Sequence, residues 1–219
     1  MIIGKFIKEC NNRFLCLVEI NGVVTECYIS SSSKLGKYIK LENRKVLLMR
    51  NKGKNLRTLY TLQAVQVRGR WILLNLNCLN EYYLEHLIKE RKFNFAEIKR
   101  EATIDGYKTD FFIENKKHII EVKGVLSEGN EAVYPVVSCG RTLRQLAAIK
   151  TKLKEGYSVD YVFVLMNSEV NTILLNKNDT QLVNLFYECI SLGMTVKYCV
   201  IRWYKHKCHI KTCENCSTI

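Results

Sequence analysis

A chain of 219 residues suits one large domain or two small ones, and 47% hydrophobic residues suffice for a packed core, which excludes a disordered tail protein. No apolar run approaches the roughly 18 residues of a membrane span and no apolar segment follows the basic start, so neither a membrane protein nor a secreted one is expected. Ten cysteines, scattered through strand-like and helix-like segments, point to a reducing cytoplasm and not to the disulfide framework of a small secreted domain. The net charge of +13 sits mostly in the first third, where residues 1–80 carry 14 Lys and Arg against 4 Glu. Such a basic module implies a polyanion partner held through its phosphates, with a solubilising face as the plain alternative.

In chain order, residues 13–20 and 23–30 are alternating runs joined by Asn21-Gly22, a strong signal for a tight hairpin. Strand-like runs recur at residues 45–50, 59–67 and 70–74. Five short strands in this space predict an OB-like barrel over residues 1–78. Within it Lys34, Lys37, Lys40, Arg44, Lys45, Arg50, Lys52, Lys54 and Arg57 form a run interrupted by one acid, Glu42, and are candidate phosphate contacts. Tyr28, Tyr38 and Tyr60 are candidate stacking surfaces for bases; Trp71, in an apolar strand, reads better as core.

A second unit is expected over residues 79–205. Asn80 is the predicted N-cap of a helix running to about residue 91, with Tyr83, Leu84, Leu87 and Ile88 as its apolar stripe and Glu85 on its surface. Residues 108–124 then read as a β-hairpin with Asn115-Lys116 at the turn. In that register Asp110 lies opposite Glu121. Glu121 and Lys123 share its face, while Phe111, Ile113, Ile120 and Val122 point the other way. Two carboxylates across a ladder repel. A divalent cation reverses that sign, and Mg²⁺ or Mn²⁺ takes one or two carboxylates and completes its shell with water and phosphate oxygens. Lys123 would orient or help deprotonate an attacking water. The plain alternative is a half-buried strand with a solvated polar face.

Residues 125–140, with the only proline, Pro135, read as a loop. A helix is predicted over residues 142–155, opened by Arg141, Arg144 and Gln145, which suit a phosphate next to the metal. A strand at 159–166, a helix at 180–192 and a strand at 195–203 complete a mixed α/β layer. The tail, residues 206–219, carries Cys208, His209, Cys213 and Cys216; it lacks the paired knuckles of a zinc ribbon and is expected to be reduced and frayed, without zinc.

Asp110, Glu121 and Lys123, spaced D-x10-E-x-K in a hairpin, resemble the core motif of the PD-(D/E)xK nuclease superfamily. The whole chain resembles the sugar fermentation stimulation protein family, through Arg13-Phe14-Leu15, Trp71 to Asn75, Asn80, Glu85, Arg100-Glu101, Asp110-Phe111, Ile120 to Lys123 and Tyr134-Pro135 with Leu143 and Leu146. The resemblance implies an N-terminal OB-like domain, a nuclease-like C-terminal domain, DNA as partner, Asp110 and Glu121 on a metal, and Glu85 and Glu101 as accessory acids. The chain departs from the family at Val136, where members carry Asp, and at Lys108, where they carry Arg. Two readings stand side by side: a metal-dependent nuclease, and a DNA-binding regulatory protein that keeps the nuclease fold without turnover.

Overall fold

The structure is a computed structural model that describes residues 1–30, 34–53, 56–90, 95–137, 140–204 and 207–218. Its first unit holds β1 (Ile2–Glu9), β2 (Leu15–Ile20), β3 (Val23–Tyr28), β4 (Lys45–Arg50), β5 (Tyr60–Val67) and β6 (Arg70–Leu73). The Asn21-Gly22 turn joins β2 to β3 as the sequence predicts, with φ of 51° and 79°, the positive values a tight hairpin needs. Strand β1 pairs with β2 and β4, and β3 meets β5, so β1 to β5 close into a five-stranded barrel with β6 laid against β5. Closure leaves those strands without a free edge. Strand β1 is absent from the sequence reading.

The second unit contains α1 (Leu79–Lys89), β7 (Ile98–Arg100), β8 (Thr103–Ile104), β9 (Tyr107–Lys108), β10 (Phe111–Ile113), β11 (His118–Val125), β12 (Glu131–Tyr134), α2 (Gly140–Lys154), β13 (Ser158–Leu165), β14 (Thr172–Leu175), α3 (Thr180–Ser191), β15 (Thr195–Tyr204), β16 (Lys207–Thr212) and β17 (Ser217–Thr218). Its main sheet runs β16-β15-β13-β11-β10-β7, with β11, β13 and β15 parallel. The central strand β13 reads as a near-continuous apolar run because both its faces are covered. Phe111, Ile113, Ile120 and Val122 join α1 and the barrel interior in one core. Phe112, Ile119, Val159 and Phe163 join α2 and α3 in the other.

Two segments differ from expectation. Residues 125–140 are not all loop: β12 pairs with β14, which also binds β17, in a small parallel sheet. The tail is not frayed either, since β16 is an edge strand of the main sheet, paired from Cys199↔Thr212 to Tyr204↔Lys207. Cys208 is buried on the α1 side, while Cys216 and Cys213 pack on the α2 side, so the tail thiols do not converge. No helix among the described residues is long and apolar enough to cross a membrane.

The barrel and the second unit share the α1-side core, and a polar latch closes their seam. Glu128, just past β11, accepts the Lys40 N–H and, at 2.9 Å, the Arg44 guanidinium. Burial works against the Glu128 carboxylate, but the bonds from Arg44 and Lys40 hold it below the usual range. Glu128→Ala should therefore lower unfolding free energy by about 1–2 kcal/mol, a charge-assisted bond discounted for partial exposure, read from a urea titration.

Candidate functional site

The site is built on β10 and β11 in the predicted register: Phe111 faces Ile120 and Ile113 faces His118, which sets Asp110 opposite Glu121. The turn is longer than the two residues expected. Glu114–Lys116 form a single 3₁₀ turn closed by Lys117 at φ 46°, and because the loop is lengthened equally on both sides, the pairing is unchanged. Asp110 is fixed at both oxygens. Its Oδ2 accepts the Val122 N–H at 2.8 Å and its Oδ1 accepts the Asn80 side-chain amide at 2.9 Å. Asn80 is thus not the N-cap of α1. It sits inside the first turn, Cys78 occupies the cap position without a side-chain bond, and the Asn80 side chain donates to Asp110 instead.

Glu121 is 1% exposed, because α2 covers the face that a lone hairpin would leave in water. Its Oε1 accepts the Tyr107 hydroxyl and its Oε2 accepts Lys123 Nζ at 2.8 Å. The Lys123 ammonium also reaches Gln145 Oε1, from α2, at 3.2 Å. Tyr107 is delivered by the β8–β9 hairpin, whose Asp105-Gly106 turn has φ of 48° and 81°. The Asp105 carboxylate is tied to Lys152 of α2 at 2.6 Å, which holds the hairpin against the helix. Tyr107 is the functional residue the sequence reading missed; the Asp-Gly turn was the available sign of its hairpin.

Burial pushes the Glu121 carboxyl up, and the charge of Asp110 adds to that, against the opposing pull of Lys123 and Tyr107. Burial alone would lower Lys123, but Glu121, Tyr134 and Asp110 outweigh it and keep the amine protonated. The resting site is therefore a tight Glu121–Lys123 pair with the Asp110 carboxyl beside it.

Above this pair lies a cleft of about 620 Å³, lined by Asn80, Glu81, Arg100, Asp110, Lys123 and Arg141 among others. It shares Glu101, Asp110, Arg141 and Gln145 with a second depression of about 580 Å³, so one groove crosses Asp110. Arg144 lines the second depression. Glu101 lines both, at φ 48°, and pairs with Lys108 at 2.6 Å, which holds its carboxyl low. Glu85 is exposed on α1 and is not among the residues lining the groove. Glu81, one turn earlier, faces it and pairs with Arg100 at 2.5 Å. Among the described residues no group of three or more His, Cys, Asp and Glu forms a ready metal cage. Asp110 and Glu121 offer two carboxylates, a number that suits a hard cation keeping water and phosphate ligands.

The basic run does not make one patch. Lys34, Lys37 and Lys40 are exposed around a single 3₁₀ turn, Leu35–Lys37, and Arg44 is bound into the latch. Lys45 and Arg50 stand at opposite ends of β4, about 17 Å apart at strand rise. Lys52 is exposed, Arg57 lies 3.7 Å from Glu26, and Lys54 lies outside the described residues. Of the candidate stacking aromatics only Tyr38 lines the cleft. Tyr28 stacks on Phe14, while Tyr60 and Trp71 are half-buried in their strands.

The same two units are recognised by family models. Residues 9–74 match the SfsA N-terminal OB domain and residues 75–207 match the sugar fermentation stimulation protein RE domain. The chain belongs to the sugar fermentation stimulation protein family. A homolog from Clostridium beijerinckii is 31% identical over 171 residues, 76% of this chain and 75% of its own. One from Aquifex aeolicus is 27% identical over 198 residues, 87% and 86% of the two chains. Among solved structures, SfsA of Pyrococcus furiosus, determined in complex with Ca²⁺, superposes with a TM-score of 0.82 at 21% identity, covering 100% of this chain and 95% of that one. The family fold, an OB barrel followed by a mixed α/β domain, is the one described above.

Proposed function

We propose that this member of the sugar fermentation stimulation family binds nucleic acid, DNA above all, and hydrolyses its phosphodiesters with a divalent cation held by Asp110 and Glu121. One observation carries the reading: two carboxylates and a lysine, drawn from one hairpin, meet beneath a groove rimmed by Arg100, Arg141 and Arg144. That SfsA of Pyrococcus furiosus was determined in complex with Ca²⁺ supports divalent-cation binding by a chain of this fold. Mg²⁺ or Mn²⁺ would polarise the phosphate and stabilise charge on its oxygens. Lys123, once Glu121 turned to the cation and the amine had lost its resting proton to solvent, would orient an in-line water and take up the proton that water loses as it attacks. The free thiols of the nine described cysteines agree with a reducing cytoplasm.

A second reading, a DNA-binding protein that keeps the fold without turnover, draws on a specific feature. Each of the four oxygens of Asp110 and Glu121 already accepts a hydrogen bond. A carboxylate oxygen has two lone pairs, so those bonds leave room for a cation. Incubating plasmid with the protein and Mg²⁺ or Mn²⁺ decides between the two. Cutting that EDTA stops supports hydrolysis; traces that EDTA leaves unchanged reject it.

The raised Glu121 carboxyl gives a pH signature. A cation must displace its proton, so affinity should fall about tenfold per pH unit below the raised value, and protons should be released on binding. In the metal-free protein the sign is opposite: the contribution of Glu121 to stability is full below the unfolded carboxylate range and is lost as pH rises through its folded value. Calorimetric Mn²⁺ titrations from about pH 5 to 8 read the first effect, and melting curves without metal read the second.

A further inference from the structure

Three cavities meet at one side chain. Tyr38, half-buried on the barrel, borders the cleft over Asp110, a groove of about 470 Å³ that carries Lys37 and Lys40, and an apolar recess of about 70 Å³ lined by Leu35, Leu74, Leu76, Leu126 and Met166. The recess has room for about two waters, at roughly 30 Å³ each, so it is no ligand pocket by itself. It is the apolar back of a shelf at the mouth of the cleft. Gly124, next to Lys123, forms part of that back, and a Cβ there would lie 3.0 Å from Leu76 Cδ2 and 3.1 Å from Leu79 Cδ2, so the strand and the helix are already in close contact behind it.

The basic groove on the far side of Tyr38 also carries carboxylates. Glu9 accepts the N–H groups of Leu35 and Gly36 at 2.7 and 3.1 Å, and Glu128 is bound in the latch, so two of its three acids are committed within the protein. Glu42 is exposed, as are Lys37 and Lys40. A path thus runs from exposed amines, past an aromatic face with an apolar back, to the carboxylates and Lys123.

We propose that this path binds a single-stranded segment of nucleic acid, with one unpaired base stacked on Tyr38 and the phosphate next to it over Asp110. The proposal rests on the nuclease reading and names its substrate class. A base reaches a shelf between two domains only when it has left its own stack, and aromatic stacking is indifferent to which base arrives. Lys37 and Lys40 would meet the phosphates that precede it.

Anisotropy titrations in metal-free buffer would compare a short single strand with a blunt duplex of the same charge for wild type, Tyr38→Phe and Tyr38→Leu. Tyr38→Phe should stay within about twofold of wild type, and Tyr38→Leu should weaken the single strand about 5- to 150-fold, the effect of one lost base stack, while hardly changing the duplex. Irradiating a 5-iodouracil single strand bound to wild-type protein should cross-link Tyr38, a result that needs no variant to fold. Wild-type affinity in Tyr38→Leu, equal losses for single strand and duplex, or cross-links only elsewhere would overturn the proposal while leaving the nuclease reading standing. If wild type bound no oligonucleotide at all, both would fall.

Discussion

Lys123→Ala should lower Mg²⁺-dependent cleavage about 10²- to 10⁴-fold, the range for losing a positioned acid–base group. The amine is held by Glu121 at 2.8 Å and by Gln145 at 3.2 Å, so its place above the carboxylates does not depend on substrate. Removing it also leaves Glu121, 1% exposed, with Tyr107 as its remaining bond, which drives the carboxyl further up. Metal uptake in the variant should therefore move to higher pH as well as the rate falling. Gln145→Ala separates the two effects: it removes a contact that orients the amine but leaves the ion pair, and should cost far less rate with little change in metal uptake. Gel assays of plasmid cutting at several pH values, with circular dichroism to verify folding, read both variants. A Lys123→Ala enzyme that cuts at the wild-type rate would take the lysine out of the mechanism.

Much of this arrangement is legible in the chain because it is local. The hairpin register follows from two apolar runs of period two about a common centre, and that centre survives even though the turn is Glu114–Lys116 closed by Lys117 and not Asn115-Lys116 alone. The Asn21-Gly22 hairpin is legible for the same reason, since only a few residues accept two successive positive φ values. Strand β1 escapes notice because Ile2-Ile3 and Ile7 break the alternation, and β12 because four residues beside a proline look like loop. What local pattern does not carry is partnership. Glu81 and Glu85 share a face of α1, so which of them meets the groove depends on which turn of the helix lies beside the hairpin, and Asn80 reads as a cap until Asp110 is brought to it. Nine bases in 24 residues look like one patch, yet β4 carries Lys45 and Arg50 apart and Glu128 withdraws Arg44. The burial of Glu121 likewise comes from α2, some 20 residues later in the chain.

That dispersal decides how the barrel and the cleft would divide the work of binding. With Arg44 bound to Glu128, the basic run leaves Lys34, Lys37 and Lys40 exposed together around one turn of the barrel. Replacing these three with Gln should weaken binding of unrelated sequences about equally, because phosphate contacts do not read bases. It should also flatten the salt dependence by up to about 2.7 log units per log unit of salt on duplex, or about 2.1 on a single strand, if each lysine meets one phosphate. Asp110→Asn should act in the opposite sense. It removes a negative charge beneath the groove, so metal-free binding should stay equal or tighten slightly with an unchanged slope, while metal-dependent cutting is lost. The one remaining side-chain oxygen in that variant can still accept the Val122 N–H, and the new NH2 faces Asn80, whose side-chain amide can turn its own oxygen to accept it, so the fold should hold. One salt series of anisotropy titrations on the two variants reads both effects. If the triple lysine variant kept the wild-type slope, the turn after β3 would be a solvated face, and the strand would have to be held by Arg100, Arg141 and Arg144 across the cleft instead.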